Sequence, residues 1–168
     1  KYHNYINTKL KDITDIECLE EKSIKGVDGF TIRNIINLEK QIGTESFNGN
    51  IYLTSIKGAF GSYPIVTKLM ENNAQNKNEI SIMNFITDNI VLQGKSKHFL
   101  MCYKSCTCNI ADYPKNRALI CINEIANGDL NDLIDNASIV SNKKLLYNLL
   151  FQCFIAVATF HNSVNNVH

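Results

Sequence analysis

The stretch NEISIMNFITDNIV at positions 78 to 91 decides the expected fold of this chain. Apolar residues follow Glu79 at helical spacing, and they predict a helix from about Ala74 to Thr87. Before it, the β-prone run IVTKLM at positions 65 to 70 contains Lys68, and two further β-prone runs follow the helix near positions 99 to 105 and 119 to 124. Strands on both sides of one amphipathic helix predict an α+β domain.

The order of these segments resembles the small lobe of a eukaryotic-type protein kinase. In that family a helix called αC carries a Glu that holds a strand Lys, and a glycine-rich loop lies upstream. Here GAFGSY at positions 58 to 63 resembles the second half of that loop, and LICINEIANGDL at positions 119 to 130 resembles the fifth strand and the interlobe hinge. The apolar run that ends near His168 resembles the helix before the catalytic loop.

The resemblance implies an α+β fold: a kinase-like small lobe, with an antiparallel sheet and helix αC, followed by a hinge and the first helices of a truncated large lobe. We expect residues 49–123 to form the small lobe and residues 124–168 the hinge and the start of an incomplete large lobe. Residues 1–48 are expected to be an N-terminal helical extension. In that extension one helix is predicted from about Tyr5 to Glu21, and isoleucines at helical spacing predict a second over positions 32 to 42.

The resemblance also implies roles for individual residues. Lys68 would contact the α- and β-phosphates of ATP and Glu79 would orient it, with Glu71 as a second candidate partner. Asn123 would occupy the gatekeeper position beside the base. The residues expected to bind the nucleotide are Gly58, Phe60, Gly61, Lys68, Glu124, Ala126 and Asp129.

Simpler interpretations of the same residues stay open. The glycines at 58 and 61 could form an ordinary hairpin turn, and Lys68 and Glu79 could be solvated surface charges. Asp129 could be the N-cap of a short helix that follows it.

The implied function is that of an ATP- and Mg²⁺-dependent protein kinase acting on Ser or Thr, with a protein as substrate. The Mg²⁺ ligands and the catalytic base would follow His168, so this fragment alone is expected to be inactive and no metal ligand is expected within it. One alternative is a pseudokinase that serves as a binding or structural module for a protein partner, for example in a virion. A third hypothesis is a small-molecule phosphotransferase. The 23 Asn and 22 Ile against 2 Arg are typical of an AT-rich genome such as that of a large DNA virus.

Charge and cysteine content exclude several classes of partner. The formal net charge is +1 and no block of like charge is present, which argues against nucleic acid as a partner. Uninterrupted apolar runs are shorter than about 18 residues, so no membrane span is expected and the protein is predicted to be intracellular, either cytoplasmic or in a viral particle. Cys102, Cys106 and Cys108 lack a CxxC pair, so zinc is not expected. Cys102, Cys121 and Cys153 are predicted to be core residues.

Overall fold

The computed structural model describes residues 1–13, 18–24, 27–46, 49–58, 64–109, 118–128 and 130–164. The chain divides into two compact units. The first comprises Lys1–Met83 and Cys102–Ile125, and the second comprises Asn84–Met101 and Ala126–His168.

The first unit is built on an antiparallel sheet. Helix α1 (Tyr2–Lys9) precedes the strands β1 (Glu20–Ile24), β2 (Val27–Ile32), β3 (Ile36–Ser46), β4 (Gly49–Ile56) and β5 (Ile65–Glu71). Helix α2 (Ala74–Ile86) follows, and β6 (Cys102–Cys108) and β7 (Ala118–Glu124) complete the sheet. The seven strands lie in the order β1-β2-β3-β4-β5-β7-β6, and every neighbouring pair is antiparallel. The expected α+β class is therefore confirmed.

The main core lies on one face of this sheet. Side chains alternate between faces along a strand, so the register places the β5 residues Ile65, Thr67 and Leu69 on the same face as Ile120 and Ile122 of β7. All five are buried. A second, smaller cluster lies between the other face and α2, and it consists of Met70, Ile80, Met83, Cys102, Leu119 and Cys121.

The predicted helical extension over residues 1–48 is wrong for most of its length. Among the residues of this segment that the structure describes, only Tyr2–Lys9 is helical, and strands β1, β2 and β3 of the common sheet lie between Glu20 and Ser46. The isoleucines at 32 and 36 are fully buried strand residues on either side of a tight turn. Arg33 and Asn34 in that turn have φ angles of 48° and 53°, which a helix cannot accommodate.

The N-terminal segment brings the two edges of the sheet together. Cys18 lies two residues before β1, at one edge, and it forms a disulfide with Cys108 at the end of β6, the opposite edge. A flat sheet of this size would separate its outer strands by about 29 Å, given spacings of about 4.8 Å. The Cα atoms of the two cysteines are 5.6 Å apart, so the sheet is curled.

Helix α1 lies along the β6 edge. The side-chain amide of Asn7 donates a hydrogen bond of 2.6 Å to the carbonyl oxygen of Tyr103, while Ile6 and Leu10 are fully buried. From the β2–β3 turn, the Arg33 guanidinium donates to the carbonyl oxygens of Lys9 and Asp12. The segment therefore covers strand groups that would otherwise be open to pairing with another chain.

The second unit consists of helices. A π-helical segment (Thr87–Val91) follows α2, and α3 (Leu130–Ile134), α4 (Ala137–Val140) and α5 (Lys143–Ser163) come after β7. Helix α5 begins at the N-cap Asn142, whose side-chain oxygen accepts a hydrogen bond from the Leu145 N–H. The long terminal helix expected from the sequence is thus present.

Helix α5 is apolar around much of its surface, and no residue in it is buried. Among the helices that the structure describes, it alone is long and apolar enough to cross a membrane on length and composition. Core helices of soluble proteins satisfy the same criterion, so it does not place α5 in a membrane. The uninterrupted apolar runs within this helix are shorter than the helix itself, because Asn148 and Gln152 interrupt them.

We expect removal of the Cys18–Cys108 disulfide to destabilise the first unit. The bond closes a loop with a sequence separation of 90 residues, and breaking a link of this kind typically costs about 2–4 kcal/mol. Chemical denaturation of Cys108→Ser should therefore show a lower free energy of unfolding than the parent protein. Cys153→Ser changes an exposed thiol and is the matched control. Equal stability of both variants would contradict the structural role of the bond.

We expect a polypeptide of these 168 residues to self-associate through α5. Tyr147, Phe151 and Phe154 form one stripe of the helix and are 72%, 63% and 71% exposed. Phe151→Lys combined with Phe154→Lys should raise the monomer fraction measured by sedimentation velocity. Asn148→Lys combined with Gln152→Lys adds the same charge at exposed polar positions of this helix, and it should change association less. Equal effects of the two pairs would contradict an apolar contact.

Candidate functional site: the Lys68 face

An ion pair joins β5 to α2. The Nζ atom of Lys68 donates to Oε1 of Glu79 at 2.7 Å. The helix that carries Glu79 begins beside the end of β5, where the Asn73 side chain accepts a hydrogen bond of 2.9 Å from the Asn76 N–H. The ion pair expected from the sequence is therefore present. Glu71, the other candidate partner, lies exposed at the end of β5 and accepts a hydrogen bond from Asn73 instead.

Lys68 belongs to a row of residues that crosses four strands on one face. Paired residues of antiparallel neighbours point to the same side of a sheet. Ile42 of β3 pairs with Ile51 of β4, Ile51 pairs with Lys68, and Lys68 pairs with Cys121 of β7. The exposed fraction of Ile51 is 38%. An ammonium group thus lies beside apolar side chains that solvent can reach.

A second row lies next to the first on the same face. Lys40 pairs with Leu53, Leu53 with Val66, Val66 with Asn123, and Asn123 with Cys102. Leu53 and Val66 are half-buried, whereas Asn123 is buried. We call the two rows together the Lys68 face; its members are Lys40, Ile42, Ile51, Leu53, Val66, Lys68, Cys102, Cys121 and Asn123. An apolar surface with the Lys68 ammonium at its side suits a planar apolar ligand group that carries a nearby anion.

Two thiols and an amide form a polar chain at the inner end of the Lys68 face. The Cys121 Sγ donates to Oδ1 of Asn123 at 3.2 Å, and it lies 3.5 Å from the Cys102 Sγ. The hydrogen bond with Cys102 raises the pKa of the Cys121 thiol, and burial raises it further. Cys121 therefore stays protonated at physiological pH and acts as a hydrogen-bond donor.

The glycines are placed differently from the sequence expectation. Gly58 lies in the turn after β4, and the five strand steps from Ile51, which pairs with Lys68, to Ile56 alone span about 17 Å. The structure therefore does not bring Gly58 to Lys68. Phe60 and Gly61 lie outside the described residues.

A different glycine lies close to Lys68. Gly49, at the start of β4, is two residues from Ile51 and has a φ angle of 112°. A Cβ atom at this position would be 2.1 Å from the carbonyl oxygen of Leu69, so only glycine fits. The sequence GTESFNG at positions 43 to 49 contains two glycines, and it lies one strand before Gly58 and Gly61.

The remaining predicted site residues lie at the end of β7 and beyond it. Glu124 is the last residue of β7 and pairs with Ile65, on the face opposite Asn123. Ala126 belongs to the second unit. Asp129 and His168 lie outside the described residues.

Neither a metal cluster nor the cleft found on the β1–β2 hairpin marks the Lys68 face among the described residues. In the ranges that the structure describes, no group of three or more His, Cys, Asp or Glu side chains could hold a metal ion. A cleft of about 490 Å³ lies on the β1–β2 hairpin and is lined by Glu21, Lys22, Ser23, Gly29 and Phe30. It has no contact with the ion pair, so the chemistry of Lys68 is a better guide to a site than the size of this cleft.

Comparison with known proteins adds no family assignment. No protein-family model matches the chain, and no curated protein matches it.

We expect the cysteines to differ sharply in their reactivity toward iodoacetamide at pH 8. Cys121 is fully buried and its pKa is raised, so it should be alkylated only after unfolding. Cys153, which was predicted to be a core residue, is exposed on α5 and should react first. Peptide mass spectrometry after timed alkylation measures both rates. Alkylation of Cys121 in the folded protein at the rate of Cys153 would contradict the buried thiol chain.

Proposed function

We propose that this chain is the nucleotide-binding part of an ATP-dependent protein kinase that acts on Ser or Thr. The observation that carries the proposal is the Lys68–Glu79 ion pair between a strand and the helix that follows it. In protein kinases a strand Lys that binds phosphate is held by a Glu of helix αC, as the resemblance implied. An ammonium group needs such a countercharge before and during nucleotide binding, and Glu79 supplies it.

The glycines near Lys68 support the same function. Phosphate oxygens can approach backbone N–H groups closely where no Cβ intervenes. Among the described residues, Gly49 lies at the Lys68 end of β4, and Gly43 lies in the part of β3 that leads toward it. We therefore propose that the β3–β4 connection, and not the turn at Gly58, covers the phosphates. The sequence Gly49-Asn50-Ile51 also agrees with the last glycine and the apolar strand residue of the kinase pattern.

The apolar side chains of the Lys68 face support binding of the base. Ile51, Leu53 and Val66 present adjoining, partly exposed surface that a purine ring can cover. In the kinase family the metal ligands and the catalytic base belong to segments that follow the helix resembled by α5, so we propose that this chain binds and orients the nucleotide.

A specific observation favours the second candidate, a pseudokinase used as a binding or structural module. With Gly49 as the last glycine of the kinase pattern, Thr44 and Ser46 stand where the pattern has its first two glycines. Side chains at these two positions would hinder the close approach of phosphates to the backbone that glycine allows. Under this alternative the fold would be retained for a protein partner, and nucleotide affinity would be absent.

Nucleotide titration tests the proposal. We expect a fluorescent ATP analogue to bind the parent protein, and Lys68→Met should raise its Kd about tenfold or more because a charge-assisted hydrogen bond to phosphate is lost. Glu79→Gln should weaken binding less. The matched control is Lys57→Met, which removes an exposed lysine from the far end of β4.

The possible results separate the two candidates. Binding that Lys68→Met does not change would refute the role of Lys68. No binding by the folded parent protein would refute the kinase proposal and favour the pseudokinase.

A further inference from the structure

The cleft on the β1–β2 hairpin is a second candidate site, and the strand register assigns its residues to faces. Its volume is about 490 Å³, which is in the range of ligand pockets. Glu21 pairs with Phe30, so their side chains share one face of the hairpin, and Ser23 lies on that face as well. Lys22 pairs with Gly29 on the other face. The face with Phe30 therefore combines a carboxylate, a hydroxyl and an aromatic ring.

The charges around the cleft favour a cation. The Glu21 side chain is exposed, and it forms no ion pair or hydrogen bond in the part of the chain that the structure describes. The Lys22 ammonium donates instead to Oδ1 of Asn34 in the β2–β3 turn. Phe30 is half-buried, and its ring makes an edge-to-face contact with Tyr52 at a centroid distance of 6.2 Å. A carboxylate beside an aromatic ring suits a guanidinium or ammonium group, because both attract it.

Strand β1 is also an edge strand. It is the first strand in the sheet order, and it pairs with β2 alone among the strands that the structure describes. At the opposite edge, α1 lies against β6, and Asn7 donates to a carbonyl oxygen of that strand. The side chains at positions 20 to 23 of β1 are all exposed. An open edge strand is a template on which a further strand can form.

The hairpin register shows which backbone groups of β1 face outward. Only two residues separate Ile24 from Val27, the innermost pair, and the residues that flank a two-residue loop are hydrogen-bonded to each other. Hydrogen-bonded and non-hydrogen-bonded pairs alternate along an antiparallel ladder. The N–H and C=O groups of Glu21 and Ser23 therefore point away from β2. The two residues whose side chains share the face of Phe30 are thus the ones whose backbone groups can bond to an added strand.

We propose that β1 is a docking site for an extended basic peptide of a partner protein, which adds to the sheet as a strand and places an Arg side chain in the cleft. The residue opposite Glu21 on the added strand lies on the same face as Glu21 and Phe30. Its guanidinium can form two parallel hydrogen bonds with the Glu21 carboxylate and lie against the Phe30 ring. Main-chain hydrogen bonds supply affinity, and the two side chains supply the preference for Arg. This inference does not rest on nucleotide binding.

Fluorescence anisotropy with two labelled peptides tests the docking. The first probe is the β-prone peptide Thr-Val-Arg-Val-Thr, with its ends acetylated and amidated, and the second has Glu in place of Arg. We expect the Arg peptide to bind the parent protein with a Kd about tenfold lower, or lower still, than that of the Glu peptide, because Glu would face Glu21. The difference should decrease as salt is added.

Glu21→Lys and Glu20→Lys are a matched pair of variants. Both replace an exposed carboxylate of β1 and change the net charge equally, but Glu20 pairs with Thr31 and lies on the other face. Glu21→Lys should raise the Kd of the Arg peptide about tenfold or more because the ion pair is lost. Glu20→Lys should change this Kd about twofold or less, since exposed charges that do not touch the ligand are screened.

Ser23→Pro and Ser23→Ala separate strand addition from side-chain contacts. Proline removes the outward N–H group of this residue without removing a hydrogen bond to β2, so it should raise the Kd about tenfold or more. Alanine keeps the N–H group and should preserve binding. Thermal unfolding of each variant confirms that it is folded.

Four results would overturn the inference. Absence of binding, or an equal Kd for the Arg and Glu peptides, would refute the docking site. Equal effects of Glu21→Lys and Glu20→Lys would show a nonspecific attraction between charges. Parent-like binding by Ser23→Pro would exclude strand addition. Displacement of the labelled peptide by free arginine or spermidine as effectively as by unlabelled peptide would assign the cleft to a small amine.

Discussion

The alternation of side chains along β5 is the constraint on which both the core and the candidate site depend. This strand is hydrogen-bonded to β4 on one side and to β7 on the other. Thr67 and Leu69 therefore point into the main core while Val66 and Lys68 point to the opposite face. A shift of the register by one residue would drive the Lys68 ammonium into the core and expose Leu69. Burial of the core thus holds the cation in place.

The parts of the fold that the sequence predicted have strong local signals. Helix α2 and strands β4 to β7 follow from periodicity and β-prone runs, and all of them are present. Strand β3 was predicted to be a helix, and the error has a physical reason. A bulge between Leu38 and Lys40 shifts the alternation, so Ile36 and Leu38 are buried on one face whereas Ile42 lies on the opposite face. The isoleucines around it then matched a helical spacing by accident.

The candidate site was predictable only where its residues are close in sequence. Lys68 and Glu79 are residues of opposite charge on adjoining elements, and the structure brings them together. The glycine nearest Lys68 depends on which strands pair and in what register, and that information is not local. The same holds for Asn123, whose environment is set by Cys121 in its own strand and by Cys102 across the β6–β7 pair.

Strands β1 and β2 pair with β3 in one sheet, so the N-terminal part of the chain belongs to the same sheet as the Lys68 face. Ile32 and Ile36 are fully buried in the first unit, and α1 adds Ile6 and Leu10 beside the β6 edge. A sheet that carries a half-exposed, charged face needs its other face covered, because two open faces would bury too little apolar surface to offset the entropy of folding. Curling the sheet and joining its edges through Cys18 provides that cover. The N-terminal residues are accordingly part of the domain that holds Lys68, and the boundary expected at residue 48 falls inside one continuous sheet.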